Sequence, residues 1–268
     1  GSLVVTLLVF PLVKKSMSLK TVYIPSFLGY ATHGLLDACT SYGTQLFWPF
    51  SNERVTWNNI SIVDPLFTIP ILILVGIAIK TRKRLFSFFA IGWAAFYLSL
   101  GFVQYERALS AANELAESRG HNAERLTLKP SFGNLILWKS IYQHEQTFYV
   151  DAIRAVQSST VCLGESIKIF NYQQHLPGLD KESQQAEDVE RFRWFSQNYL
   201  GFDDEKNLVT DVRYSMLPNQ IEPMWGLVID DQRDINEHAI WWTGRDLDQS
   251  QLSLFKEMLS GKKCRNRA

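Results

Sequence analysis

Two residues able to share a metal ion or a proton stand four apart in the stretch 26–43, SFLGYATHGLLDACTSYG: His33 and Asp37. The stretch follows Pro25 and runs to Gly43, which reads as a helix, with proline suited to the first turn and glycine to the C-terminal stop. Spacing of i, i+4 puts imidazole and carboxylate one turn apart on one face. At that spacing two side chains clamp one metal ion, as the two histidines of HExxH do. An ordinary His–Asp hydrogen bond is the structural alternative. Asp64 is the third candidate, in SIVDPLFT, where Pro65 opens an apolar run. Asp before Pro at the first helical position is a good N-cap, and capping leaves part of the carboxylate free to ligate. Between them runs TSYGTQLFWPFSNER, in which Arg54 is the only basic group. Arg54 can stabilise an anionic substrate or transition state, or contact lipid headgroups. Phe47, Trp48 and Phe50 fit an interfacial aromatic belt.

Those residues must be positioned by a membrane section. Residues 85–103, LFSFFAIGWAAFYLSLGFV, carry no charge and come close to the ~20 residues that cross a hydrocarbon core. Residues 65–79 reach a similar length when 60–63 are added. Two runs apolar all round, so close together, differ from the one-sided pattern of soluble helices. The linker 80–84, KTRKR, holds four positive charges in five residues, and the positive-inside rule makes it a cytoplasmic loop. Residues 41–63 and everything after Tyr105 then lie on the extracytoplasmic face. Lys14, Lys15 and Lys20 fall on the cytoplasmic side in the same scheme. Ionisable groups next to the bilayer are expensive and usually functional, which raises the weight of His33, Asp37 and Asp64. Residues 3–13, LVVTLLVFPLV, are apolar but short, and read as the last half of a longer span. Positive charges follow that run instead of preceding it, which excludes a signal peptide.

Lys+Arg and Asp+Glu balance at 27 each among 268 residues, so no net charge points to nucleic acid; the partners expected are membrane lipids and a divalent metal, with any protein partner unspecified. Cys39, Cys162 and Cys264 show no CxxC spacing; a Cys162–Cys264 disulfide outside the cytoplasm and free thiols are both open. Residues 104–119 continue the span as a polar helix ended by Gly120. Beyond it the period changes to two, with a hairpin around His144-Glu145-Gln146 and strands at 166–172, 208–217, 224–230 and 238–243. Helices fit at 182–199 and 248–259. The fold class is therefore an α-helical membrane section (1–118) followed by a soluble α+β domain with a mainly antiparallel sheet (119–268). Asp211 and Arg213 alternate on a strand, as an exposed ion pair or a substrate-facing one. The acidic run 203–205 reads as solvated, and His121, His144, His175 and His238 as single surface or structural histidines.

The run HGLLDACTSYGTQLFWPFSNER, with SIVDPLFT after it, resembles the bacterial membrane-bound metal-dependent hydrolases of the YdjM type. That family shares an HxxxD helix, a Thr-x-x-Gly turn, a Trp-Pro-Phe loop and an Asp-Pro entering a span. The segments 211–214, DVRY, and 223–226, PMWG, look like the C-terminal domain of its longer members. The resemblance implies a multi-pass inner-membrane hydrolase with a periplasmic or extracellular C-terminal domain. Its metal site would use His33, Asp37 and Asp64; Arg54, from the reading of the loop above, is the candidate catalytic group. Such an N/O ligand set suits Zn²⁺ or Mn²⁺, and a site at the bilayer surface suits a phosphate ester or lipid-linked substrate. The alternative is a non-enzymatic membrane protein whose C-terminal domain binds or senses a partner. Family members also carry LPDxD-like and HRGxTHS-like motifs upstream, expected to supply further ligands; neither occurs in these residues.

Overall fold

The computed structural model describes residues 1–245, 248–262 and 264–266. The chain forms two compact units, Gly1–Leu98 and Ser99–Ala268, and the division falls inside one long helix.

The first unit is helical. α1 (Ser2–Val13) is apolar and lies against α2 (Leu19–Ala38). Ser18 starts α2 by accepting the Thr21 N–H on its hydroxyl at 3.2 Å, so the helix begins before Pro25 and carries that proline inside. Its end also differs from the expected stop at Gly43. The carbonyl of Ala38 accepts from Trp57 N–H, and that of Cys39 from the N–H groups of Asn59 and Ile60. A returning segment thus satisfies the orphan carbonyls of the last turn, and a tertiary contact of this kind leaves no local signal.

α3 (Pro65–Thr81) and α4 (Arg84–Ser118) form a hairpin that turns at Arg82, which adopts a left-handed conformation. Residues 60–63 stay outside the helix because Asp64 caps it, so α3 has 17 residues, about 25 Å at the α-helical rise. Among the described residues only α4 is long and apolar enough to cross a membrane; α1 and α3 are apolar but shorter. α4 runs unbroken through the polar continuation to Ser118, as the composition of 104–119 indicates. Large apolar side chains such as Leu8, Ile79 and Phe88 stand about 70% exposed on this unit. Burying such a surface is what a lipid environment does.

The second unit holds two antiparallel sheets. The first has the order β1-β2-β3-β4-β9, from β1 (Glu124–Pro130), β2 (Leu137–His144), β3 (Thr147–Arg154), β4 (Thr160–Lys168) and β9 (Arg265–Asn266). The second has the order β5-β6-β7-β8, from β5 (Leu200–Asp203), β6 (Leu208–Asp211), β7 (Trp225–Val228) and β8 (Ile240–Thr243). The β2–β3 hairpin turns at Glu145 and Gln146, with His144 paired to Thr147. α5 (Tyr172–His175) and α6 (Gln184–Phe195) precede the second sheet, and Val189 and Phe192 of α6 join its core with Leu200, Val209 and Leu227. α7 (Gln249–Ser260) packs Met258 and Leu254 on Leu137, Ala152 and Leu217. Beside it Cys162 of β4 is disulfide-bonded to Cys264, which decides between the two cysteine readings.

Asp211 and Arg213 are neither an exposed pair nor a substrate-facing one. Arg213 Nε and Nη2 donate to the two Asp211 oxygens at 2.8 and 2.7 Å, and both side chains are almost fully buried. Arg213 also donates to Gln197 Oε1 and Phe195 O. β6 stops at Asp211 because this clamp replaces the ladder, which is why the strand is shorter than the 208–217 expected.

Candidate functional site

Asp37 is in the last turn of α2, and Thr44 lies beyond the helix in a short ribbon. Thr44 and Val55 exchange both backbone hydrogen bonds, at 3.0 and 2.9 Å. This pairing fixes the Thr44 hydroxyl, which donates to Asp37 Oδ2. Arg54, next to Val55 in the ribbon, turns its guanidinium back and donates to Tyr42 O at 2.7 Å and Gly43 O at 3.2 Å. Gly43 has a φ of 88°, and a Cβ there would meet Arg54 Cβ at 3.1 Å. The position therefore needs glycine both for its conformation and for the close approach. His33 stands one turn before Asp37 on α2, and both are exposed. The structure thus brings Asp37, Thr44 and Arg54 into one turn at the end of α2, beside the exposed aromatic side chains of Phe47, Trp48 and Phe50.

Asp64 belongs to a second polar grouping. It is 4% exposed. Oδ1 accepts from Leu66 N–H and Phe67 N–H at 3.1 and 3.2 Å, and Oδ2 accepts from the Tyr97 hydroxyl at 2.8 Å. Three of the roughly four acceptor positions of the carboxylate are so occupied. Trp93 Nε1 donates to Leu66 O at 3.2 Å, one turn along α4 from Tyr97. Asn59 Nδ2 donates to Leu98 O at 3.2 Å, so the segment that closes α2 is tied to the same turn of α4. Asn58, Asn59, Ser61 and Asp64 are all buried, which makes this connection a polar layer inside a largely apolar unit.

A four-coordinate metal site needs at least three protein donors and an open position. His33 and Asp37 offer two. Among the described residues no group of three or more His, Cys, Asp or Glu side chains stands where it could hold a metal ion. The donor types suit Zn²⁺ or Mn²⁺, but the arrangement in these residues does not by itself fit the ion.

Sequence reasoning missed Thr44 and Tyr97 as partners of the two aspartates. For Tyr97 a signal exists: a phenol in an uncharged span must find an acceptor, and Asp64 opens the neighbouring helix. For Thr44 the signal is only the ribbon with Val55, which depends on pairing across a loop.

No curated protein and no solved structure matches the chain. A family model does match, over residues 1–108, and its description is YdjM inner membrane protein. All four candidate residues lie within that span. Over residues 1–108, then, this membrane protein is similar to the YdjM inner membrane protein family, as the HxxxD helix and the Asp-Pro junction indicate.

Proposed function

We propose that the protein is a multi-pass inner-membrane hydrolase acting on a phosphate ester or lipid-linked substrate at the outer membrane surface. The observation that carries this reading is the convergence of Asp37, Thr44 and Arg54 in one turn, with His33 one helical turn away. An arginine held on the turn that follows an acid and a base is a chemically apt set for phosphoryl chemistry. The guanidinium offers charge to phosphoryl oxygens, while the Asp37 carboxylate and the His33 imidazole are the groups that take up and return a proton. Exposed aromatic side chains next to the turn, Phe50 above all, favour a substrate that arrives from the bilayer. Zn²⁺ or Mn²⁺ is the cofactor the resemblance implies, with His33 and Asp37 as two of its ligands; Asp64, the third that the resemblance implies, would have to give up the Tyr97 hydroxyl or the α3 cap to join them.

The C-terminal unit is assigned to the extracytoplasmic side. Two observations favour this: the basic loop that joins α3 to α4, and the Cys162–Cys264 disulfide, since such bonds persist in oxidising compartments. A second reading is favoured by a groove of about 840 Å³ between α6 and β8, lined by Phe192, Trp194, Phe195, Leu227 and Trp241. Such a surface suits a membrane-anchored domain that binds a partner without catalysis.

The test is hydrolysis of a chromogenic phosphate ester and of a phosphatidate vesicle by the full-length protein, with Zn²⁺ or Mn²⁺ supplied and metal content measured. His33→Ala, Asp37→Asn and Arg54→Gln are each expected to lower the rate about 10²-fold or more, and the first two to lower metal content. Absence of turnover in the wild type, with metal content indifferent to His33→Ala, leaves the partner-binding reading.

A further inference from the structure

We propose that Ser215 and Lys139 form a nucleophile and general-base pair for acyl transfer. This second chemical centre lies in the C-terminal unit and is independent of the one around Asp37.

Lys139 is in the middle of β2, and its cross-strand partner on β1 is Lys129. Directly opposed residues project on one face of the sheet, and both lysines are 5% exposed. From this buried position Lys139 Nζ reaches Ser215 Oγ at 2.6 Å and Gln220 O at 2.8 Å. Ser215 is half-buried, whereas the lysine is buried. It lies between β6 and β7, where a backbone bridge to Pro223 holds it.

Burial, and not the neighbouring charges, disfavours an ammonium. Asp211 is clamped in both oxygens by Arg213. Glu165, exposed on β4, spends Oε2 on the Ile221 N–H. Lys129 and Arg213 add positive charge on the neighbouring elements, and Lys129 sits against the Tyr214 ring. Burial pushes the Lys139 amine down to about 7, against the opposing pull of Asp211 and Glu165. Burial is the recognised route by which a lysine becomes a base near neutral pH.

The Ser215 proton has two acceptors. The carbonyl of Leu217 stands 2.6 Å from Oγ and accepts the hydrogen bond that the hydroxyl donates when Lys139 is an ammonium. A neutral Lys139 keeps one N–H on Gln220 O and turns its lone pair to the hydroxyl. In that state Oγ bonds to the carbonyl carbon of an ester or amide, and its proton passes to Nζ. The tetrahedral carbon then expels the alkoxide or amine, which leaves with the proton from Nζ. A water molecule next attacks the acyl-serine, giving its proton to Lys139. Ser215 departs from the acid product with that proton, and both residues return to their starting state.

The experiment is labelling of the full-length protein by a fluorophosphonate ester, with the modified peptide mapped by mass spectrometry between pH 6 and 9. Labelling at Ser215 is expected, rising about tenfold from pH 6 to pH 8, as a base titrating near 7 requires. Lys139→Met should abolish the label. If that variant does not fold, the wild-type pH profile still decides. A folded wild type unlabelled at Ser215 at pH 9, labelling that ignores pH, or full labelling of a folded Lys139→Met overturns the pair and leaves Lys139 as a structural tie to the 215–220 turn. His33→Ala should leave the label unchanged, so failure of the phosphate-ester reading and failure of this one are separable.

Discussion

Tyr97, within the most apolar stretch of α4, donates its hydroxyl at 2.8 Å to the same Asp64 carboxylate that caps α3. One acidic side chain thereby starts one helix and receives a hydroxyl from the next. The Phe67 and Tyr97 rings pack 5.8 Å apart on the same contact. Tyr97→Phe should cost about 1–3 kcal/mol, the range for leaving a buried acceptor short of its donor. Asp64→Ala should cost more, since it removes the cap as well. Unfolding of the two single variants and the double in detergent checks this. Additive losses would mean that the two residues act separately.

The Cys162–Cys264 bond closes 102 residues of chain and ties β4 to the segment after α7. Cys162→Ala should lower stability by about 2–5 kcal/mol and loosen α7 first, because Met258 and Leu254 rest on the same apolar cluster. The wild type treated with reductant should unfold like the variant. A thermal midpoint equal in oxidised, reduced and Cys162→Ala protein would count against the bond.

Asp211→Ala should be the most damaging single change in the C-terminal unit. It leaves the Arg213 guanidinium buried with only Gln197 and Phe195 as acceptors among the contacts described above. Breaking a buried pair from one side costs about 3–5 kcal/mol. Arg213→Met, paired with Asp211→Leu, should recover much of that loss, because apolar replacement of both partners removes the unpaired charge. Equal instability in the single and double variants would show that packing, not charge, is at stake.

Legibility followed the range of the interactions. The β2–β3 hairpin and α6 are written locally, in alternation and in a Ser183 cap, and both stand where the sequence indicates. β1 and β5 escaped because each is recognised by its partner strand more than by its own alternation. The same holds at the site. His33 and Asp37 are legible as a helical pair, and Asp64 as a cap before proline. That Asp64 spends its carboxylate on Tyr97, 33 residues away, and that Asp37 takes the Thr44 hydroxyl, are tertiary facts with no local mark. The buried Asp211–Arg213 clamp is illegible for a related reason: burial is a property of the fold, and a charged pair on a short strand carries surface statistics by default.

The loop at Arg82 and Lys83 joins two apolar helices, and α4 leads from it, without a break, into the C-terminal unit. A cytoplasmic loop would force the opposite compartment on whatever follows a full crossing of α4, and the charge of residues 80–84 favours a loop inside. An oxidising compartment for the Cys162–Cys264 bond would agree with that side. Reporter fusions after Arg84 and after Arg119 should therefore fall in opposite compartments, with the second one periplasmic. Replacing Lys80, Arg82, Lys83 and Arg84 by neutral residues should blur that assignment, giving mixed orientation and a fraction of chains with reduced Cys162. If both fusions report one compartment, α4 does not span the membrane. The candidate turn around Asp37 would then have to be approached from a soluble phase.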